Sequence, residues 1–199
     1  MKKNTKKIVT AAGIAAGTAA VASLYAYVTI KALIDTALDR EMPKVMEKAD
    51  KRISGEKSSD EFTNRMESAS ESLAVQPNET VEIIAHDGEK LVGHYFPCEK
   101  PERVIIAFHG WRSSWHRDFG MISDFWYKNN CSVLYVEQRG QNNSSGEYMG
   151  FGLTERFDCL DWLNWEIERC GSDIPVYLAG VSIPPVRIGT VEAVGFFKE

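Results

Sequence analysis

The chain has 199 residues, 44% of them apolar and 26% charged, with a formal net charge of −5. This is the make-up of one folded domain with appendages and excludes an intrinsically disordered chain. The first 31 residues hold five lysines and no acid, so residues 32–199 carry 18 basic against 28 acidic groups, a balance that argues against nucleic acid as a partner.

Ile8 to Ile30 run for 23 residues without a charge, behind Lys2, Lys3, Lys6 and Lys7 and ahead of Lys31. That is enough to cross a hydrocarbon core of about 30 Å, and residues 1–31 read as an N-terminal signal anchor whose partner is the membrane. Ala20-Val21-Ala22 offers the competing reading of a cleavable signal peptide, but the apolar run continues through Leu24, Tyr25, Tyr27, Val28 and Ile30. The lysines before the span place the N-terminus inside and the domain outside, on the extracytoplasmic face of the cell membrane. Gly13 and Gly17 form a G-x-x-x-G pair, which leaves weak self-association open.

Residues 32–76 read as an amphipathic helical connector. Leu33, Ile34, Ala37, Leu38, Met42, Val45, Met46 and Ala49 recur with a period near 3.6, and Pro43 predicts a kink. Ser58-Ser59-Asp60-Glu61 is a capping box, after which Phe62, Met66, Ala69 and Leu73 line one face of a second helix. Such a stripe lies either on the membrane or on the domain beyond, packing being its simplest role.

From Thr80 the pattern turns to short β-rich runs. Thr80–Ala85 and Leu91–Phe96 flank the hairpin signal Asp87-Gly88. Arg103–Phe108 is a continuous apolar run, as in a strand covered on both faces, and it leads into His109-Gly110. A helix is predicted over Asp118–Lys128 and a strand over Cys131–Val136, followed by a Gly- and Asn-rich loop from Gln138 to Gly152. Thr154 can cap a helix through Arg169 with Phe157, Leu160, Leu163 and Ile167 facing inward, and Gly171 ends it. Ile174–Ala179 is the strand that feeds Ser182. The alternation predicts an α/β sheet, parallel after its start, with its site at the carboxyl ends of the strands.

Cys98, Cys131, Cys159 and Cys170 contain no C-x-x-C pair and no histidine at ligand spacing, so they read as small buried hydrophobes. A disulfide stays open if the domain lies outside the cytoplasm. No metal and no cofactor are expected.

Four stretches together carry a resemblance: Phe108-His109-Gly110-Trp111; Glu137-Gln138-Arg139-Gly140 with Ser144-Ser145-Gly146; Phe151-Gly152 with Glu155 to Trp162; and Leu178-Ala179-Gly180-Val181-Ser182. In this order and spacing, residues 77–183 resemble the N-terminal half of an α/β-hydrolase domain, of the bacterial kind that joins a membrane anchor to a serine hydrolase. The resemblance implies a partial α/β-hydrolase sheet of the first five strands, and hydrolysis of a small acyl ester or peptide. It makes Ser182 the nucleophile, in a G-x-S-x-G elbow whose first glycine is Gly180. The oxyanion donors would be the backbone N–H groups of Trp111 and Ile183. His109, Gly110, Arg139 and Gly140 would support the loops, and His86, His94 and His116 read as solvated or locally hydrogen-bonded. Trp111, Trp115, Phe125 and Trp126 either wall an acyl pocket or are ordinary core and surface aromatics.

The chain departs from the family pattern at three places. Gln141-Asn142 stands where the family has His-Gly. Pro184 replaces the second glycine of the elbow and pushes Ile183 away from helical conformation. No histidine follows Ser182, and the only later acids are Glu192 and Glu199, so the Ser-acid-His order of the fold has no members to fill it. The expectation is a chain interrupted just after the elbow, with residues 184–199 a tail unlike the family, the fifth strand an exposed edge, and little or no activity. The alternatives are a non-catalytic anchored binding domain and an unstable fragment.

Overall fold

The computed structural model describes residues 2–38, 40, 61–181 and 191–195, giving backbone alone for residues 2–16 and 191–195. Within the described residues, helix α1 (Lys2–Leu38) is continuous, so the apolar segment and the start of the expected connector are one 37-residue rod. Its segment Gly17–Leu38 is long and apolar enough to cross a membrane. Val21, Leu24, Tyr25, Tyr27, Val28, Ile30, Leu33 and Ile34 are all exposed along it. The predicted kink at Pro43 and most of the capping box lie outside the described residues.

Helix α2 (Glu61–Ala74) leads into strands β1 (Glu79–Ile84) and β2 (Lys90–Phe96), joined by the Asp87-Gly88 turn with Gly88 at φ 93°. Strand β3 (Arg103–Phe108), helix α3 (Trp115–Lys128), strand β4 (Cys131–Glu137), helix α4 (Glu155–Cys170) and strand β5 (Val176–Val181) then alternate. A last strand, β6, spans Val191–Gly195. The sheet order is β1-β2-β4-β3-β5-β6. Strands β4, β3 and β5 pair in parallel, and β2 runs antiparallel to both β1 and β4. The expected exposed edge at β5 is not found, because β6 pairs with it antiparallel from Tyr177↔Gly195 to Val181↔Val191. Its backbone supplies the hydrogen-bond partners that the apolar edge strand would otherwise lack.

Apolar runs form the central strands because both faces are covered. On one face Ile105, Ala107, Val133, Tyr135 and Ala179 meet Leu73 of α2 and Trp115, Phe119 and Trp126 of α3. On the other, Val81, Leu91, Tyr95, Ile106, Leu134 and Val136 meet Trp162 of α4. Residue-by-residue alternation along β3 and β4 sends neighbours to opposite layers.

Two helix expectations need correction. Helix α3 begins at Trp115, three residues before the predicted start, which puts His116 in the helix, where its ring bonds the Ser70 and Ser114 hydroxyls at 2.9 and 3.0 Å. In α4 the expected inward residues Phe157, Leu160 and Ile167 are exposed, and the buried stripe is Glu155, Asp158, Trp162 and Glu166. Polar partners elsewhere in the fold satisfy Asp158 and Glu155 within that stripe.

Helix α2 crosses α3 at Gly120. A Cβ at that position would stand 2.7 Å from the backbone of Ala69 and Ser70, and neither helix can yield locally. Gly120→Ala is therefore expected to lower stability by about 1–3 kcal/mol, despite the better helix propensity of alanine. Denaturant titration of the detergent-solubilised chain measures this; an unchanged or raised midpoint refutes the close crossing.

Candidate functional site

In register, Phe108 of β3 pairs with Val136 of β4 and with Gly180 of β5. The next residues along these parallel strands, His109, Glu137 and Val181, therefore share one edge, and three loops leave the sheet side by side. A Cβ on Gly110 would lie 3.4 Å from the Val181 carbonyl oxygen, so the His109-Gly110-Trp111 loop touches the residue before Ser182. Ser182, Ile183 and Pro184 lie outside the described residues.

His109 is fully buried. Its Nδ1 donates to the Gly110 carbonyl at 2.7 Å, while Nε2 accepts from the Gln138 N–H and the Asn142 amide, each at 3.2 Å. Burial holds its pKa below the ordinary value, in keeping with a neutral ring protonated on Nδ1. With both nitrogens engaged, this imidazole has none to offer a nucleophile. It pins the loop after β3 to the loop after β4, a link completed by the Gln138 side-chain amide donating to the His109 carbonyl.

Three consecutive N–H groups follow, and their fates differ. The Gly110 N–H donates to Asp118 Oδ2 at 2.6 Å, and the Arg112 N–H to Gln141 Oε1 at 2.9 Å. Among the described residues, the Trp111 N–H between them has no acceptor. Asp118 also accepts from the Ser113 hydroxyl at 2.6 Å, so one carboxylate at the start of α3 shapes the whole turn. The sequence marked Asp118 only as the start of a helix and Gln141 only as a departure from the resembled pattern, although a carboxylate in the first turn of a helix is a known anchor for nearby backbone donors. Gln141 and Asn142, the departures from the family pattern, both act here. Asn142 adopts φ 47° and its amide also reaches the Ser113 carbonyl at 3.1 Å.

Arg139 spans the loop after β4. Its guanidinium bonds Asp158 at 3.0 and 2.5 Å and Asp87 at 2.6 and 3.2 Å, joining the β1–β2 turn to α4. Gly140 follows at φ 67°, a conformation that glycine adopts without cost. His94, expected in solvent or a local bond, instead pairs across the sheet with buried Glu137 at 2.8 Å and stacks on Trp115. Burial alone would raise the Glu137 pKa; the bonds from His94 and Asn143 outweigh it and hold the carboxyl below its ordinary value. His86, Asp158 and Asp161 present ligand atoms within 4.8 Å of one another. Arg139 already holds both Asp158 oxygens and places a fixed positive charge there, which opposes a cation.

Of the four aromatics, Trp115 and Trp126 are core residues, Phe125 is exposed on the outside of α3, and Trp111 lies against α1. They do not form one wall. Cys98, Cys131, Cys159 and Cys170 are free thiols, with Cys131 buried.

The mixed sheet, with α2 and α3 on one face and α4 on the other, is an α/β architecture, the class expected from the sequence. Solved structures similar to it include an esterase of Pyrococcus furiosus, at 23% identity and a TM-score of 0.48 over 56% of this chain and 44% of that one. An α/β-hydrolase of a Penicillium species matches at 21% identity and 0.48 over 53% and 38%. A soluble variant of the monoglyceride lipase of Saccharomyces cerevisiae, bound to a substrate analogue, matches at 17% and 0.43 over 54% and 36%. The matched part is thus less than half the length of each of these proteins. No protein-family model matches the chain, and no curated protein sequence does.

Proposed function

We propose that the domain carries the nucleophile side of a serine-hydrolase site for acyl esters or peptides, held at a membrane by α1. The observation that supports this best is the Trp111 N–H, left without an acceptor among the described residues between two neighbours that are both committed, in a loop touching the residue before Ser182. A donor fixed in this way suits the oxyanion of a tetrahedral intermediate. In this reading Ser182 attacks the acyl carbonyl, Ile183 supplies the second N–H, and His109 positions the loop without serving as base. Lys2, Lys3, Lys6 and Lys7 favour the N-terminus inside and the domain outside.

The 199 residues contain no histidine after Ser182. A serine hydroxyl without a base is a weak nucleophile, and the chain by itself is expected to be unreactive. Incubation with a fluorophosphonate probe tests both parts. The expected result is a folded protein labelled no more than its Ser182→Ala variant, which also fits a non-catalytic binding domain. Labelling that Ser182→Ala abolishes would establish the nucleophile and overturn the expectation of inactivity.

A further inference from the structure

The end of α1 is built into the carboxyl-end face of the sheet. The Trp111 indole donates to the Ala37 carbonyl at 3.1 Å and the Arg112 guanidinium to that of Thr36 at 3.0 Å. The Met149 N–H donates to the Leu38 carbonyl and the Arg40 N–H to that of Glu147, both at 3.0 Å. The Arg40 guanidinium also holds the Ser144 and Asn142 carbonyls. The loop 147–153 is therefore fastened to the last turn of the apolar helix.

That loop is apolar and outward-facing. Leu153 is 71% exposed, and Tyr148 and Phe151 are 48% and 46% exposed. Phe151 is held at φ 48°, a conformation costly for a bulky residue. Its backbone donors are largely satisfied from within: Glu155 accepts from the Gly150 and Gly152 N–H groups at 2.5 and 2.8 Å, and the Leu153 N–H reaches the Gly150 carbonyl. A segment with satisfied donors and apolar side chains pointing out is suited to a low-dielectric boundary. Leu33 and Ile34 are still 65% and 47% exposed on α1, beside the exposed Lys31–Asp35 ion pair. Leu38 lies eight residues, about 12 Å, beyond Ile30, where the charge-free run ends, which sets the loop at the outer side of the headgroup layer.

We propose that the loop 147–153 is a second membrane contact, seating Tyr148, Phe151 and Leu153 at the headgroup boundary of the bilayer that α1 crosses. The anchor and the loop together hold the carboxyl-end face of the sheet against lipid. This rests on the reading of α1 as a membrane span, and the test separates the two.

Full-length chain is reconstituted in phosphatidylcholine–phosphatidylglycerol vesicles, with part of the lipid carrying a dibrominated acyl chain. An environment-sensitive fluorophore is placed by Leu153→Cys, by Val21→Cys inside the span, and by Lys128→Cys at the far end of α3; the unsubstituted chain, labelled in parallel, gives the background from its own four cysteines. The expected result is a blue-shifted, bromine-quenched probe at positions 21 and 153 and a water-like, unquenched one at 128. A lipid signal at 21 with a water signal at 153 overturns the loop contact and leaves the anchor standing. A water signal at 21 overturns the anchor, and the loop contact with it.

Discussion

Arg139→Ala is expected to destabilise the domain by about 3–5 kcal/mol, the cost of leaving one partner of a buried ion pair alone. Arg139 and Asp158 have side-chain exposures of 8% and 5%, so neither can turn to water when the other is removed. The loss should exceed the worth of the pair itself, because the penalty is the uncompensated Asp158 charge. Adding Asp158→Asn to Arg139→Ala should accordingly recover a large share of the loss. Denaturant midpoints of the two single variants and the double variant measure this, and a loss below about 1 kcal/mol for Arg139→Ala would show that the pair behaves as a surface one.

The same guanidinium gives a pH signature through Asp87, whose side chain is more exposed. Its hydrogen bonds from Arg139 hold the Asp87 carboxyl down at about 2, against an ordinary 3.8. A carboxyl whose folded pKa is depressed stabilises the fold fully above its unfolded pKa. Its contribution disappears as pH falls from about 4 toward 2. Arg139→Ala should flatten the acid limb of the stability profile in that window.

Glu166 predicts the opposite sign. It is fully buried, its Oε1 has no partner among the described residues, and its Oε2 meets only the Cys170 thiol at 3.5 Å. Burial pushes its pKa up to about 7 from an ordinary 4.5. Between those values the folded chain keeps a proton that the unfolded chain has lost, so stability falls as pH rises from 4.5 to 7 and is level above that. The difference across the window is about 3 kcal/mol. Glu166→Gln has no proton to lose, and it should remove the slope and leave the variant more stable than the parent at pH 8. Equilibrium unfolding at pH 5, 6, 7 and 8 measures both; parallel profiles for parent and variant would place the carboxylate in contact with water.

These two residues also mark where the sequence misleads. Leu160 and Ile167 sit at helical spacing and look like a core stripe, yet they face outward. The stripe that packs on the sheet is 155, 158, 162 and 166, three of them acidic. Asp158 is acceptable there because Arg139, nineteen residues earlier, meets it, and Glu155 because the N–H groups of Gly150 and Gly152 do. A pattern of hydrophobicity along one helix contains no record of such partners, and it assigns buried acids to solvent. Glu166 has no such excuse in the packing and is neutralised instead.

What the sequence determined by itself is the order of the elements from α2 to β5, the apolar helix before them, and the position of the loops at 109–112 and 138–152. Continuous apolar runs specify strands buried on both faces, a charge-free run of 23 residues specifies a helix long and apolar enough to cross a membrane, and glycine and asparagine clusters specify the breaks between. Each of these signals is local, carried by neighbours along the chain. The tertiary structure alone decided the inward face of α4, the binding of Asp118 and Gln141 to the amides on either side of Trp111, the covering of β5 by β6, and the fastening of α1 to the carboxyl-end loops. All four are matters of satisfying polar groups across long stretches of sequence. A donor or carboxylate finds its partner only once the sheet has brought distant loops to one edge, and that closure is a property of the assembled fold.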